Sequence, residues 1–319
     1  MGLFDDGAQC ISGATRLAAH AVQRPGELAT LHPWTIAPTA AVEDRNATTW
    51  KKDEDEADVT RTLKLMGAVG VLSMLALADA PARPLDVRIN TPILQARRRG
   101  AKWDLRSSED EIGEDFQALV LAVPAPLAMP LVVESPDLSN ALRGVRYRSR
   151  WVLLLRSDRP VPLPGYRRFQ GSPIERVAAM HSKPGHSAIG PQRWFFEADQ
   201  RWSLRHEHED AETVADLLLD NFREHAGRSV MPNYLCAQQL HHAFVETPAM
   251  SPRRTECLWD DKVQLGVCGD NVVASQVDWV HRSGVDLAGA VVAGLTYRSG
   301  RSGFSAVDED LGQQLEAQL

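Results

Sequence analysis

The sequence predicts an α/β protein, and three of its stretches carry that prediction. Residues 116–124 are almost continuously apolar and end in proline, which is typical of a strand buried on both faces of a parallel sheet. Residues 265–268 form another short apolar run, and a helical pattern follows it over 275–295. Between about 131 and 249 the pattern alternates, which predicts a mixed or antiparallel sheet with covering helices.

Length, charge and cysteine content limit the class of protein. A chain of 319 residues is long enough for one large domain or two medium domains with real cores. Its formal net charge of −7 argues against a surface for nucleic acid. The four cysteines lack metal-binding spacing, so we expect reduced thiols instead of a disulfide or zinc framework.

The sequence also predicts a cytoplasmic protein without a membrane partner. Asp5 and Asp6 stand where a secretion signal would need basic residues. The longest uncharged run covers 65–78, and its 14 residues fall short of the roughly 20 that a membrane-spanning helix needs.

The first half of the chain contains four further predicted elements. Leucine, methionine and alanine recur over 62–79, which favours a helix that ends before a proline. Residues 85–90 alternate between apolar and polar side chains and predict a strand. The stretches 93–97 and 102–106 predict a hairpin, because a turn containing glycine separates them.

A predicted strand over 145–155 carries three arginines on one face, namely Arg146, Arg148 and Arg150. Such a face binds an anionic nucleotide in some proteins, but more often it is a solvated outer face. Further strands are predicted at 174–181, 193–197 and 234–244. A predicted helix over 211–225 places the following apolar residues inward: Val214, Leu217, Leu218 and Phe222.

The strand near the carboxyl terminus ends in Gly269 and Asp270. Ser275 and Asp278 have the spacing of a capping box at the start of the next helix. The helical face that follows is small and apolar: Val277, Val280, Gly284, Leu287 and Val291. A carboxylate at a strand end beside a helix N-terminus suits binding of a phosphate or an electron-rich ring. The alternative is an ordinary strand–turn–helix connection.

Other chemistries find little support. His206 and His208 would share a face of a strand, and His241 precedes His242, but no third metal ligand is placed by the sequence. There is no G-x-S-x-G elbow, no phosphate-binding P-loop, and no serine or cysteine with a recognisable histidine partner. The dinucleotide fingerprint G-x-G-x-x-G is also missing, since 67–70 has the wrong spacing inside a helical pattern.

Several segments together resemble the FAD-dependent oxidoreductases of the amine-oxidase and renalase type. Residues 4–10 resemble an Asp-x-Gly-Ala-Gln segment, and 122–126 resemble a strand ending in Ala-Val-Pro-Ala-Pro. Between them, Asn90-Thr91 and Trp103 match a strand end and a hairpin of that family. Gly269-Asp270 followed by Ser283-Gly284 resembles its C-terminal flavin-binding segment. The resemblance extends from Phe4 to about Val292.

This resemblance implies a two-domain FAD/NAD(P)-binding flavoprotein scaffold with an incomplete parallel sheet. The nucleotide-binding domain would comprise 1–15, 62–130 and 250–295, without its N-terminal G-x-G-x-x-G unit. An inserted mixed or antiparallel substrate domain would comprise 16–61 and 131–249. Residues 296–319 would form a polar tail.

The resemblance also implies the site residues. Gly269 and Asp270 would contact the phosphate–ribityl part of FAD, and the backbone of Val277, Asp278 and Trp279 would face the pyrimidine edge of the flavin. Gln9 would contact the flavin face. A helix N-terminus aimed at that edge stabilises the negative charge that the flavin gains with a hydride, and this chemistry needs no acid–base pair.

The implied function is FAD-dependent oxidation of a small reduced substrate, an amine or a dihydronicotinamide, with oxygen as acceptor. A rival hypothesis is a flavin-free relic that serves as a binding or interaction module. The missing fingerprint, the missing acidic residue for the adenosine ribose and the absence of the family's aromatics from 240–244 favour it. A third hypothesis is a start codon assigned too far downstream of an active enzyme's true start.

Overall fold

The computed structural model describes residues 31–34, 67–70, 86, 88, 90–107, 111–161, 163, 165–183, 190–226, 230–249, 256–275 and 277–302. The chain divides into two compact units. Unit one is Met1–Val87 with Ser149–Ala243, and unit two is Arg88–Arg148 with Phe244–Leu319. The predicted boundaries between the nucleotide-binding and substrate domains lie instead after residues 130 and 249. The nucleotide-binding and substrate-binding roles of these domains stay predictions.

The strands are β1 (Leu31–Trp34), β2 (Gly67–Gly70), β3 (Gln95–Arg99), β4 (Lys102–Arg106), β5 (Glu111–Phe116), β6 (Leu119–Leu121), β7 (Arg146–Ser157), β8 (Tyr166–Arg168), β9 (Ile174–Ala179), β10 (Gln192–Ala198), β11 (Tyr234–Thr247), β12 (Leu258–Asp260) and β13 (Leu265–Val267). The α-helices are α1 (Ala125–Ala128), α2 (Pro136–Arg143), α3 (Gln200–Arg205), α4 (Ala211–Ala226), α5 (Asp270–Val273) and α6 (Val277–Ser302). Within the described ranges, none of these helices combines the length and the apolar character needed to cross a bilayer.

Unit two is built on two three-stranded sheets. In the first, β13 lies between β12, to which it is antiparallel, and β6, to which it is parallel. The second is an antiparallel sheet in the order β3-β4-β5, and the predicted hairpin is confirmed there. Trp103 on β4 is fully buried, and its indole N–H donates to the carbonyl of Val263 at 2.9 Å. The shared core contains the following buried side chains: Leu119, Leu121, Leu142, Leu265 and Val267.

Helix α6 packs closely on the β12–β13 hairpin. Gly266 on β13 faces Leu287 of the helix, and a Cβ atom at position 266 would lie 2.4 Å from a methyl carbon of Leu287. A Cβ atom on Gly294 would likewise lie 3.1 Å from the Asp261 carboxylate. Two glycines therefore allow this approach, one on the strand and one on the helix.

Unit one contains a five-stranded sheet in the order β11-β7-β10-β9-β8. Strand β10 pairs antiparallel with both β7 and β9, and β9 pairs antiparallel with β8. Helix α4 contributes to the core of this sheet through Val214, Leu218 and Phe222, and the ring of Phe222 packs edge-on against Phe196. Alternating residues of a strand reach the same face, which explains why Trp194 and Phe196 belong to one core.

An ion-pair cluster lies on unit one's sheet. The buried guanidinium of Arg150 on β7 contacts the carboxylates of Glu197 on β10 and Glu175 on β9. Arg176 donates to Glu197 at 2.8 Å, and Arg168 lies 3.3 Å from Glu175. Buried charges are tolerated when they are paired and hydrogen-bonded, as they are here.

The prediction of a solvated face for the three arginines is only partly right. Arg146 and Arg148 are exposed, whereas Arg150 is buried. Arg148 pairs with Glu246, and Arg146 donates to the carbonyl of Arg143 at 2.8 Å. The protein itself therefore supplies acceptors to all three side chains. Alternation along a strand predicts which residues share a face, but it does not predict what covers that face.

Two predicted elements in the first half are wrong where the structure describes them. Gly67–Gly70 form strand β2, antiparallel to β1, inside the helix predicted over 62–79. Two glycines in that tetrapeptide each disfavour a helix by about 1 kcal/mol relative to alanine, which explains the failure. In the strand predicted over 85–90, Asp86, Arg88 and Asn90 lie outside any strand, and Asn90 has a φ of 55°.

Two burial predictions are also wrong. Val120 in the middle of β6 is 47% exposed, so this strand is not buried on both faces. Its neighbours Leu119 and Leu121 enter the core of unit two, while Val120 points to the opposite face. In α4, Leu217 is exposed, and Ala215 and Leu219 are buried instead. Single apolar residues at a surface are common, so composition alone could not reveal either exposure.

Candidate functional site

The candidate site lies where β6 and β13 end. The two strands are parallel, so their carboxyl ends meet at one edge of the sheet, which is where α/β proteins bind ligands. The N–H of Cys268 donates to the carbonyl of Leu121 at 3.1 Å, which continues the pairing to the last residues. Beyond this bond, the side-chain amide of Asn271 (Nδ2) donates to the backbone carbonyl of Val123 at 2.9 Å. These bonds hold the two strand ends together.

Gly269 turns the chain out of β13. Its φ of 114° is a conformation that residues with side chains rarely adopt, so glycine is required by the backbone here. Its N–H donates to the hydroxyl of Ser283 on α6 at 3.1 Å, and Ser283 is fully buried. A Cβ atom at position 269 would have only the side-chain oxygen of Asn271 within 4 Å. The backbone of the turn is therefore fixed to α6, while the space next to the Cα atom of Gly269 is almost unoccupied.

Asp270 begins the short helix α5, directly after this turn. Its carboxylate is partly exposed and lies 3.4 Å from the hydroxyl of Ser275. That hydroxyl in turn accepts the N–H of Val245 at 2.9 Å. Ser275, predicted as the first residue of a capping box, therefore connects Asp270 to the end of β11. Asp270 is not part of the packed core.

Tyr147 belongs to the same edge, and sequence reasoning missed it. Its hydroxyl accepts the N–H of Ala125, the first residue of α1, at 2.9 Å. Burial raises the pKa of this phenol, the bond from Ala125 lowers it, and the negative charge of Asp270 raises it again. The alternation of 145–155 places Tyr147 on the face opposite the three arginines, and this is the sequence signal that indicates it.

The remaining predicted site residues lie at the start of α6 or outside the described residues. Val277 and Asp278 occupy the first turn of that helix, and Trp279 follows with 48% of its surface exposed. The helix continues to Ser302, so it includes the first residues of the predicted polar tail. Gln9 lies outside the described residues. The structure therefore brings Gly269 and Asp270 together with Tyr147 and Ser275.

Two buried cysteines lie at the β12–β13 hairpin, next to Gly269. Cys257 and Cys268 pack in one apolar cluster with Leu287 of α6. Burial raises the pKa of both thiols, and it raises that of Cys257 to about 11 with a smaller contribution from the charge of Asp286. Both side chains are therefore protonated thiols at neutral pH.

The structure does not assemble the metal site considered for the histidines. His206 lies in the turn that closes α3, not on a strand, and stacks on Trp202 with ring centroids 4.1 Å apart. His241 and His242 are adjacent in β11, so they point to opposite faces. Across the described part of the chain, no three His, Cys, Asp or Glu residues are grouped so that they could hold a metal ion.

Ser172 and His225 form a contact that the sequence did not predict. The serine oxygen lies 2.9 Å from Nε2 of His225 and 2.9 Å from the side-chain oxygen of Asn221. Because the oxygen of Asn221 can only accept, the serine gives its proton there and the histidine donates to the serine. A donating nitrogen cannot act as the base for that serine, so this contact braces a loop and is not a nucleophilic site.

Comparison with solved structures identifies the fold. The chain superimposes on a protein assigned as a protoporphyrinogen oxidase, from Exiguobacterium sp. 255-15, with a TM-score of 0.53 and 15% sequence identity. The match covers 74% of this chain and 55% of that one. This chain shares that oxidase's fold.

Two amine oxidases also match, each with a TM-score of 0.49. A double mutant of putrescine oxidase, made to redesign its cofactor binding, is 13% identical over 72% of this chain and 54% of its own. Cyclohexylamine oxidase from Brevibacterium oxydans IH-35A is 11% identical over 74% of this chain and 53% of its own. The chain thus spans about half the length of the structures it matches. No protein-family model matches the sequence.

Proposed function

We propose that the chain is an FAD-dependent oxidoreductase in which unit two holds the flavin at the shared end of β6 and β13. One observation carries this proposal: a partly exposed carboxylate, Asp270, follows a glycine turn at the carboxyl end of a parallel strand. The resemblance of Gly269-Asp270 and Ser283-Gly284 to a flavin-binding segment supports it. So does the fold, which the chain shares with an oxidase.

The residues at this edge fit the ribityl part of a flavin better than its phosphates. Hydroxyl groups donate to a carboxylate, whereas a phosphate is repelled by one. Gly269 offers an open side without a Cβ atom, so a ligand could approach the backbone closely. The amides of a G-x-G-x-x-G turn, which would hold the pyrophosphate, are not encoded in the sequence. We therefore expect weak binding of FAD by this chain.

Bound FAD would supply the acceptor for two electrons and a proton. The chain's own residues would bind and orient it. Asp270 would accept hydrogen bonds from the ligand, Ser275 lies within 3.4 Å of its carboxylate and helps to position it, and the first turn of α6 presents N–H groups. We propose a small reduced substrate, an amine or a dihydronicotinamide, with oxygen as the acceptor of electrons.

Titration of the purified chain with FAD, followed by fluorescence quenching, tests the flavin site. Asp270→Asn keeps the size of the side chain but removes its charge. A hydrogen bond to a charged acceptor contributes about 1.5–3 kcal/mol, so we expect the Kd to rise by about ten- to a hundredfold. The matched control is Asp216→Asn on the exposed side of α4, which should leave the Kd unchanged. Equal affinity in Asp270→Asn and the parent would refute the site.

A flavin-free binding module is the second candidate, favoured by the missing fingerprint. The arginines of β7 do not provide such a module with an anion-binding face, because Arg148 pairs with Glu246 and Arg150 pairs with Glu175. The same titration separates the two candidates. A folded parent chain that leaves flavin fluorescence unquenched, even with FAD in excess, would favour the module.

A further inference from the structure

The two buried cysteines of unit two face each other across the β12–β13 hairpin. The register pairs Leu258 with Val267 and Trp259 with Gly266. One further pair in the same register places Cys257 directly opposite Cys268. Both side chains are almost fully buried, with 5% and 7% of their surface exposed, and both contact the same apolar cluster.

Backbone hydrogen bonds show that Cys257 and Cys268 occupy a non-hydrogen-bonded pair of the antiparallel hairpin. The N–H of Cys268 donates to Leu121 on β6, and the carbonyl of Gln264 accepts the N–H of Leu119. The polar backbone groups of Cys268 therefore point to β6 and away from Cys257. Facing residues of such a non-hydrogen-bonded antiparallel pair have Cα atoms about 4.5 Å apart and side chains on the same face. That separation lies within the range that a disulfide bond spans.

We propose that Cys257 and Cys268 are a modification site, a dithiol that a peroxide converts reversibly to a disulfide. The cysteines of this site are the thiols predicted from the sequence, now placed as a pair. The proposal does not depend on flavin binding, because the reaction needs only the two side chains and the oxidant.

The oxidation proceeds in two balanced steps. One thiolate attacks the peroxide, the O–O bond breaks, and the sulfur becomes a sulfenic acid while one water leaves after protonation. The second thiol attacks that sulfur, the S–S bond forms, and a second water leaves. The two sulfurs lose two electrons in total, and the peroxide gains them. A dithiol reductant reverses the change by thiol–disulfide exchange.

Burial sets the rate of this reaction. The thiolate is the nucleophile, and burial raises the pKa of both thiols, that of Cys257 to about 11. The Cys257 thiolate is therefore a very small fraction of the protein at pH 7. The oxidation should therefore be slow at neutral pH and about tenfold faster for each unit of pH up to 9.

The disulfide would act on the candidate site through the chain. Cys268 immediately precedes Gly269, whose N–H is bonded to Ser283. A covalent bond between the hairpin strands would hold the end of β13, and with it the turn that presents Asp270. Closing this short loop also restricts the unfolded chain, so we expect the thermal midpoint to rise by about 5 °C on oxidation and to return on reduction.

The test uses the full chain without flavin. The folded protein is treated with hydrogen peroxide at pH 7, 8 and 9, residual thiols are alkylated after unfolding, and the digest is mapped by mass without reduction. We expect a peptide pair joined through Cys257 and Cys268, formed faster at higher pH and lost after dithiothreitol. Cys236→Ala, which changes a half-buried cysteine of unit one, should give the same pair.

Cys257→Ala and Cys268→Ala should each abolish the joined peptides and the rise in thermal midpoint. The mapping of the parent protein decides the outcome even where a variant fails to fold. Recovery of both peptides in alkylated form after peroxide at pH 9, or their attachment to other cysteines, would overturn the proposal. Loss of flavin binding in Asp270→Asn would not affect this result, so the two proposals fail separately.

Discussion

In unit one the charged side chains of the sheet pair with one another, whereas in unit two the polar side chains gather at the end of the parallel strands. Arg150, Glu175 and Glu197 satisfy each other across three strands. Asp270, Tyr147 and Ser275 instead surround a glycine turn and remain partly exposed. The first arrangement uses polar groups to hold a sheet together. The second leaves polar groups partly exposed at the strand ends, where we propose that a ligand binds.

The largest expected effect comes from breaking the ion-pair cluster of unit one. Glu197→Ala removes the carboxylate that both Arg150 and Arg176 contact and leaves a buried guanidinium with less compensation. Removing one partner of a buried pair costs about 3–5 kcal/mol in the free energy of unfolding. Urea unfolding followed by circular dichroism measures this loss.

The exposed pair Arg223–Asp220 on α4 provides the control, because Asp220→Ala should change that free energy by less than about 1 kcal/mol. If the two variants lost the same free energy, the cluster on β7, β9 and β10 would be no more important than a surface ion pair.

A smaller effect is expected from crowding the helix of unit two. Gly266→Ala places a Cβ atom 2.4 Å from a methyl carbon of Leu287, so the buried Leu287 side chain must move. Overpacking of this kind costs about 1–3 kcal/mol in the free energy of unfolding. The matched control is Gly289→Ala on the same helix, where a Cβ atom meets nothing within 4 Å. It should stabilise the helix by up to about 1 kcal/mol, and equal losses in both variants would contradict the packing described here.

The smallest effect concerns pH, and the two units should respond in opposite directions. In unit one, burial lowers the pKa values of His181 and His225, with the charge of Arg167 adding to the effect at His225. The unfolded chain therefore binds a proton more readily, and stability should fall as the pH drops below about 6.5. In unit two, burial raises the pKa values of Cys257 and Cys268, so stability should fall as the pH rises from about 9 towards 11.

Unfolding free energies measured under reducing conditions from acid to alkaline pH test both declines in stability, the acid limb below about pH 6.5 and the alkaline limb above about pH 9. His225→Gln should flatten the acid limb, and His208→Gln, at a fully solvated position, should not. Cys257→Ala should flatten the decline of stability at alkaline pH. A parent protein whose stability does not change at either limb would contradict the burial that these pKa shifts report.

Much of the fold could be predicted from local pattern. The hairpin of β3 and β4, the strand at 265–267 and helix α4 follow from turn residues, apolar runs and helical spacing. What failed depended on distant partners. Gly67–Gly70 became a strand because Leu31–Trp34 pairs with it, and Arg150 became buried because two glutamates come from other strands. No local window of sequence contains that information.

The candidate site was predicted in part, for the same reason. Gly269 and Asp270 could be singled out because strand, turn and helix are consecutive in the chain, and their role in binding stays a prediction. Tyr147 was missed because it reaches this edge from β7, and the pairing of Cys257 with Cys268 depends on the register of β12 and β13. The contact of Ser172 with His225 likewise joins a loop to a helix well separated in sequence. Residues assembled from several elements require the topology first.

The bond from Asn271 to Val123 has a consequence for the order of folding. It joins positions 148 residues apart, and the register of β6 with β13 joins positions 146 residues apart. Contacts between such remote segments form late in folding. The long intervening chain must lose conformational entropy before the contacts can contribute stabilising energy. The edge that carries Asp270 should therefore be completed only after the intervening residues have condensed. A nascent or truncated chain would consequently lack this edge of the sheet. A ligand that binds at the edge would therefore bind only completely folded molecules.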